Sequence, residues 1–138
     1  MAITAALCTS YKLQILSGVH LSTDTYKIAL YTSSASLDAS TTVYSATNEV
    51  VGAGYTAGGV NLSGFATSSS GTTAWIDFAD PSWASSTITA RGALIYNSTQ
   101  GDKAVCVLNF TTDQTSTNGT FTYVMPTADA TNAIIRIA

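Results

Sequence analysis

Hydrophobic positions recur with two periods along the chain. Leu7, Tyr11 and Ile15 stand at i, i+4 and i+8, with Ala6 and Leu16 widening the stripe, which predicts a helix over about residues 4–17. Thr4 is placed to cap it, and Gly18 to end it in a left-handed conformation. From residue 25 the period drops to 2. Over residues 25–31, Tyr26, Ile28 and Leu30 share the face that points inward. Similar runs predict strands near 58–65, 72–78, 86–96, 103–110, 119–125 and 132–137, punctuated by Gly71, Pro81, residues 97–101, Asn118-Gly119 and Pro126. Thr, Val, Ile and aromatic residues dominate these runs, and strong helix formers are scarce. The predicted fold is mainly β: an antiparallel β-sandwich or jelly roll of about seven to eight strands with one short N-terminal helix. Residues 93–96 and 104–108 are apolar on both faces, as in strands that sit centrally or lie beneath a helix.

Between about 32 and 58 the pattern dissolves. Residues 32–42 have no period, and residues 51–59 are rich in glycine. A loop this long inside a domain is expected to be functional. No internal repeat interrupts the reading of residues 1–138 as a single domain.

Charge changes the picture. The chain has 5 Lys and Arg and 8 Asp and Glu, or 9% charged residues, where about 25% is usual. A folded monomer of this mass exposes roughly 6,800 Å², so each charge serves roughly 520 Å² where about 200 Å² is ordinary. The gap is filled by 17 Ser and 23 Thr. A net charge of −3 with scattered cations excludes a nucleic-acid partner, which needs a basic face. Residues 50–76 carry no charge but are studded with Gly, Ser, Thr and Asn, so no membrane span is expected. The first residues lack a basic export region, which predicts a chain made and kept soluble. Cys8 and Cys106 are accordingly read as unpaired, and Cys106 as a small buried hydrophobe. Sequons at Asn61, Asn97, Asn109 and Asn118 are what a chain rich in Ser and Thr produces by chance.

No residue set predicts catalysis, a metal or a cofactor, and the chain is not expected to be an enzyme. The single histidine, His20, has only Asp24 nearby and reads as a helix-end residue. No Gly-x-Ser-x-Gly elbow is present. Asp77 and Asp80 are close in sequence, but Asp80 before Pro81 is a turn starter and Asp77 falls on the outward face. Residues 52–58 have a loose Gly-x-Gly spacing without lysine or following helix, so flexible backbone or a β-bulge is expected. Residues 113–119 lack the acids of a calcium loop and read as a hairpin tip. Trp83 follows Pro81 in a predicted turn, and Tyr55 lies in the glycine-rich stretch. Exposed there, the two would be interface residues, as sugar platforms or protein anchors.

The ion-poor, hydroxyl-rich composition suits a surface that docks against protein, because Ser and Thr cost little entropy and desolvation when covered. One third of the surface, roughly 2,200 Å², lies in the range of obligate assemblies. The run Ser10-Tyr11-Lys12-Leu13-Gln14-Ile15-Leu16-Ser17-Gly18 leads into residues 23–32, followed later by Gly54-Tyr55-Thr56-Ala57-Gly58-Gly59 and Arg91-Gly92-Ala93-Leu94-Ile95-Tyr96. These runs resemble small structural proteins of tailed bacteriophages, and most of all jelly-roll cement (decoration) proteins of the capsid. The resemblance implies a homodimer bound to the major capsid protein on the outer face of the shell. It implies a virion location after assembly in the host cytoplasm; the charge, apolar runs and motifs above predict no cofactor, nucleic acid or membrane partner. A phage tail or baseplate position, or a receptor (carbohydrate)-binding module using Trp83, Tyr55 and Asp80, stays open.

Overall fold

Strand β1 (Ala6–Leu7) and helix α1 (Thr9–Leu16) lead into β2 (Tyr26–Tyr31). After a long connection come β3 (Val60–Asn61), β4 (Ala66–Ser70), β5 (Thr73–Asp77), β6 (Ser82–Asn97), β7 (Lys103–Thr122) and β8 (Ile135–Ile137). The computed structural model describes residues 2–138. One sheet has the order β1-β7-β6-β2-β3 and the other β4-β5-β8, every named pair antiparallel. The fold is therefore mainly β, with eight strands in antiparallel, sandwich-like sheets and one short helix near the N-terminus. Its exposed surface is 6818 Å². No helix among the described residues is long and apolar enough to cross a membrane.

The core lies where β2, β6 and β7 meet. Ile28, Leu30, Leu94, Ile95, Val105 and Val107 are buried there. Tyr26, Ile28 and Leu30 face inward as their alternation predicts, but Ala29 and Tyr31 on the other face are buried too. β2 lies inside its sheet between β6, the central strand, and the short edge strand β3.

Three elements depart from the sequence expectation. The helix has 8 residues and starts five residues later than predicted. Ala6 and Leu7 instead pair as a strand with Val107 and Cys106, and the Cys8 amide donates to the Val105 carbonyl at 2.9 Å. The doubly apolar stretch 104–108 needs its outer edge satisfied, and residues 6–8 do so with extended backbone that cannot also be helical. Thr4 is therefore no cap; its amide bonds to the Leu37 carbonyl. The far end behaves as predicted. Gly18 adopts φ +75, Gly18 N–H reaches the Ile15 carbonyl and Val19 N–H the Gln14 carbonyl, closing a Schellman motif.

The second departure is the expected hairpin tip at 113–119, which is paired strand. Gln114, Thr115, Ser116 and Gly119 lie opposite Ala90, Thr89, Ile88 and Ser86. The predicted strands 103–110 and 119–125 are one bent element, β7. The bend falls where residues 110–113 face Arg91 alone, between the pairs Gly92↔Asn109 and Ala90↔Gln114. There Thr111 takes φ +66, and Phe110 comes round to stack on Tyr123 at 5.6 Å. Asn118, with φ +47, sits in a second irregularity rather than a turn. Third, β4 falls between two predicted strands. All five of its residues are exposed and four are Thr or Ser, so it has no hydrophobic period to read.

Candidate interaction surface

The long connection after β2 contains no helix or strand, only isolated bridges such as Tyr31↔Glu49 and Val43↔Lys103. It is nonetheless fixed by a buried acid. Glu49 is 6% exposed. Its carboxylate accepts from the Tyr44 hydroxyl at 2.5 Å, from the Tyr55 hydroxyl, and from the Gly58 amide at 2.8 Å. The Tyr55 oxygen in turn accepts from the Leu30 amide at 2.9 Å, tying the loop to β2. Tyr96 donates to the Gly58 carbonyl at 2.6 Å and stacks on Tyr44 at 4.7 Å. Burial, and then the hydrogen bond to Glu49, push the Tyr44 and Tyr55 hydroxyls well above the usual tyrosine range.

The glycines fit this tethering and are not a mark of looseness. Gly59 has φ +77, and a Cβ there would lie 1.7 Å from the Ile28 carbonyl oxygen. Ala53 accepts from the Thr87 amide at 2.9 Å, so the loop docks on the edge of β6. The expectation of flexible backbone at 52–58 gives way to a close-packed one.

Sequence-predicted candidates separate accordingly. Trp83 is not an exposed turn aromatic: it is 3% exposed and packs near Tyr55 at 6.2 Å and Phe121 at 5.8 Å. Strand pairing of Trp83 with Phe121 continues almost to Pro81 and turns the indole inward. Tyr55 is half-buried, with its hydroxyl engaged inside. Its ring and Trp83 are neighbours, but not as an outward platform. Asp80 accepts from the Met125 amide at 2.7 Å, a contact to the segment after β7 and not a cap on its own turn. Asp77 is half-buried, and its Oδ1 is buried without a hydrogen-bond partner.

His20 belongs to a polar node at the helix exit. Its Nε2 lies 2.8 Å from Gln14 Oε1 and its Nδ1 3.0 Å from Asn97 Nδ2. The buried Asn97 also donates to Asp24 at 2.8 Å. Burial lowers the imidazole's affinity for a proton, opposed by Asp24. Against its own desolvation, Asp24 is held below the usual carboxylate range by Asn97, the Leu21 amide and Gln100. The node joins α1 to the β6–β7 hairpin. Cys8 and Cys106 are free and buried; burial pushes the Cys8 thiol up to about 11 and raises Cys106 further, the reverse of a nucleophile. Among the described residues no three His, Cys, Asp or Glu side chains converge as metal ligands.

What the sequence did not mark lies on the outer side of α1. Leu16 is 85% exposed and Leu13 66%, and Ile137 of β8 is 51% exposed. With Leu7 in a strand, the helix turns only Tyr11 and Ile15 inward, and its remaining leucines face out. An open groove of about 340 Å³ runs between α1 and the small sheet, walled by Tyr11, Ile15, Phe65, Trp75 and Ile137. A second, of about 290 Å³, continues from it past Leu7, Leu16, Lys12 and Arg136 and shares Ile15 and Ile137. Contiguous exposed apolar surface beside grooves is the mark of an interaction site. The signal available in the sequence was Leu13, an apolar residue off the predicted stripe. Comparison with known protein families, with curated proteins and with solved structures finds no match.

Proposed function

We propose that this protein is a structural subunit of a tailed-phage particle that docks on the outer face of the capsid shell and stabilises it as a cement (decoration) protein. The observation that carries the reading is the apolar face formed by α1 and β8, set in a surface rich in Ser and Thr and poor in ions. Such a face gains by being covered, and the hydroxyls around it cost little to desolvate. Binding to an assembled lattice and not to free subunits stabilises the lattice by mass action. A copy that bridges two capsomers gains further from the effective concentration of its second contact.

The test is sedimentation of purified protein with mature shells and with free capsid subunits. Binding to shells at a fixed stoichiometry, with little affinity for free subunits, is the expected result. Particles lacking the protein that survive heat and low salt unchanged overturn the proposal. The carbohydrate-binding alternative has lost its Trp83 platform to the core.

A further inference from the structure

The distribution of cations says what kind of surface the α1–β8 face accepts. Of the five cations, Arg91 pairs with Asp113 at 2.8 Å, Lys103 donates to the Gln100 carbonyl in the hairpin turn, and Lys27 is half-buried in β2. The remaining two, Lys12 and Arg136, line the same groove as Ile15, Leu16 and Ile137. No carboxylate lines that groove. Asp129 acts on Arg136 through space without an ion pair, and its Oδ1 accepts from the Thr131 and Asn132 amides at 2.8 and 2.6 Å. Arg136 itself makes one hydrogen bond, to the Ala130 carbonyl, so most of its N–H donors are uncommitted. A chain with a net charge of −3 thus sets two of its five cations in the groove beside the exposed Leu16 and Ile137.

We infer that this groove is the docking site for an acidic–aliphatic segment of a partner protein, one that seats aliphatic side chains against Ile15, Leu16 and Ile137 and brings carboxylates to Lys12 and Arg136. The inference rests on the docking reading above and assigns its contact surface. A second copy of this chain fits worse. A two-fold contact through the groove sets each patch against itself and brings Lys12 and Arg136 near their own equivalents. Two cations are also too few for a phosphate backbone.

The test titrates isotopically labelled full-length protein with three synthetic octapeptides and follows amide chemical shifts. One carries two leucines flanked by glutamates, one the same leucines flanked by lysines, and one serines in place of the leucines with the glutamates kept. The acidic–aliphatic peptide is expected to shift Lys12, Ile15, Leu16, Arg136 and Ile137, while the other two bind far more weakly. The double variant Lys12→Glu/Arg136→Glu, exposed enough to keep the fold, is expected to weaken that binding about tenfold and to favour the lysine peptide instead. No shifts, shifts centred elsewhere, or equal response to the acidic and basic peptides overturn the inference. So does wild-type self-association, seen by sedimentation equilibrium, that Leu16→Glu abolishes. Shell binding separates the two readings: wild-type and double variant sedimenting equally with shells removes this groove but leaves docking intact, whereas no shell binding by the wild type removes docking itself.

Discussion

Residues 32–58 and helix α1 stand in opposite relations to the core. The loop has no regular element, yet its acid, its tyrosine hydroxyls and its glycine backbone are buried and paired. The helix has its backbone bonds and a complete C-terminal motif, yet Leu13 and Leu16 stand in solvent. Fixity in this molecule follows from where polar side chains find partners, and availability from where apolar ones do not. Regular secondary structure decides neither.

The largest effect that tests the contrast is alkaline unfolding. Burial raises Tyr31, and burial followed by the Glu49 contact raises Tyr44 and Tyr55. Burial also lifts Tyr96, to about 12. A raised folded value means the native state holds its protons longer than the unfolded chain, whose tyrosines titrate near 10. Stability from these hydroxyls is therefore intact below about pH 10 and is lost as pH rises from there toward the folded values. Absorbance of tyrosinate should climb in one cooperative step that coincides with loss of the β circular-dichroism signal. Independent titration near pH 10 with the fold intact would show the loop to be loosely held.

Next in size is Glu49→Ala. It strips the acceptor from two part-buried hydroxyls and the Gly58 amide, and should cost about 2–4 kcal/mol in urea denaturation. Glu49→Gln keeps one carbonyl acceptor and should cost less, about 1–3 kcal/mol. If the alanine variant loses under about 1 kcal/mol, the carboxylate does not organise the loop.

Two glycines sharpen the comparison, because both have positive φ and only one is crowded. Gly59→Ala in the loop drives a Cβ into the Ile28 carbonyl, whereas at Gly18, with φ +75, nothing lies within 4 Å. Gly18→Ala should cost about 1 kcal/mol, the backbone penalty alone. Gly59→Ala should cost about 2–4 kcal/mol, since strand β2 must move as well. Equal thermal shifts would remove the claim that the loop is packed more tightly than the helix exit.

These pairs also show what could be read in advance. The inward face of β2, the helix stop at Gly18 and the unpatterned 32–58 stretch all follow from local period and turn chemistry, and the structure keeps them. Non-local pairing hid the rest. Residues 6–7 look helical until the apolar stretch 104–108 needs an edge partner, and Asn118-Gly119 looks like a turn until Ser86 lies opposite it. Trp83 reads as exposed because Pro81 marks a turn, but its partner Phe121 is 38 residues away in sequence. Glu49 gave no signal at all: a lone acid in a polar loop becomes the centre of a node only when Tyr44, Tyr55 and Gly58 arrive around it. The outward leucines are hidden for the converse reason, since a stripe anchored on Leu7 places Leu16 in the core.

The smallest stability effect, and the most telling for function, is at Leu16. Leu30 in β2 is fully buried, and Leu30→Ala should cost about 2–5 kcal/mol through the cavity it leaves. Leu16, at 85% exposed, has little to lose in the isolated protein. Leu16→Ser should change stability by no more than about 0.5 kcal/mol. If the α1–β8 face docks on a partner, the same change removes an apolar side chain that becomes covered only on binding, worth about 1.5–3 kcal/mol and so at least tenfold in affinity for mature shells. A stable variant that sediments with shells like the wild type would leave the exposed leucines without a docking role. A variant that loses stability as Leu30→Ala does would mean that the helix packs more closely than its exposure shows, and the contrast between loop and helix would close from the other side.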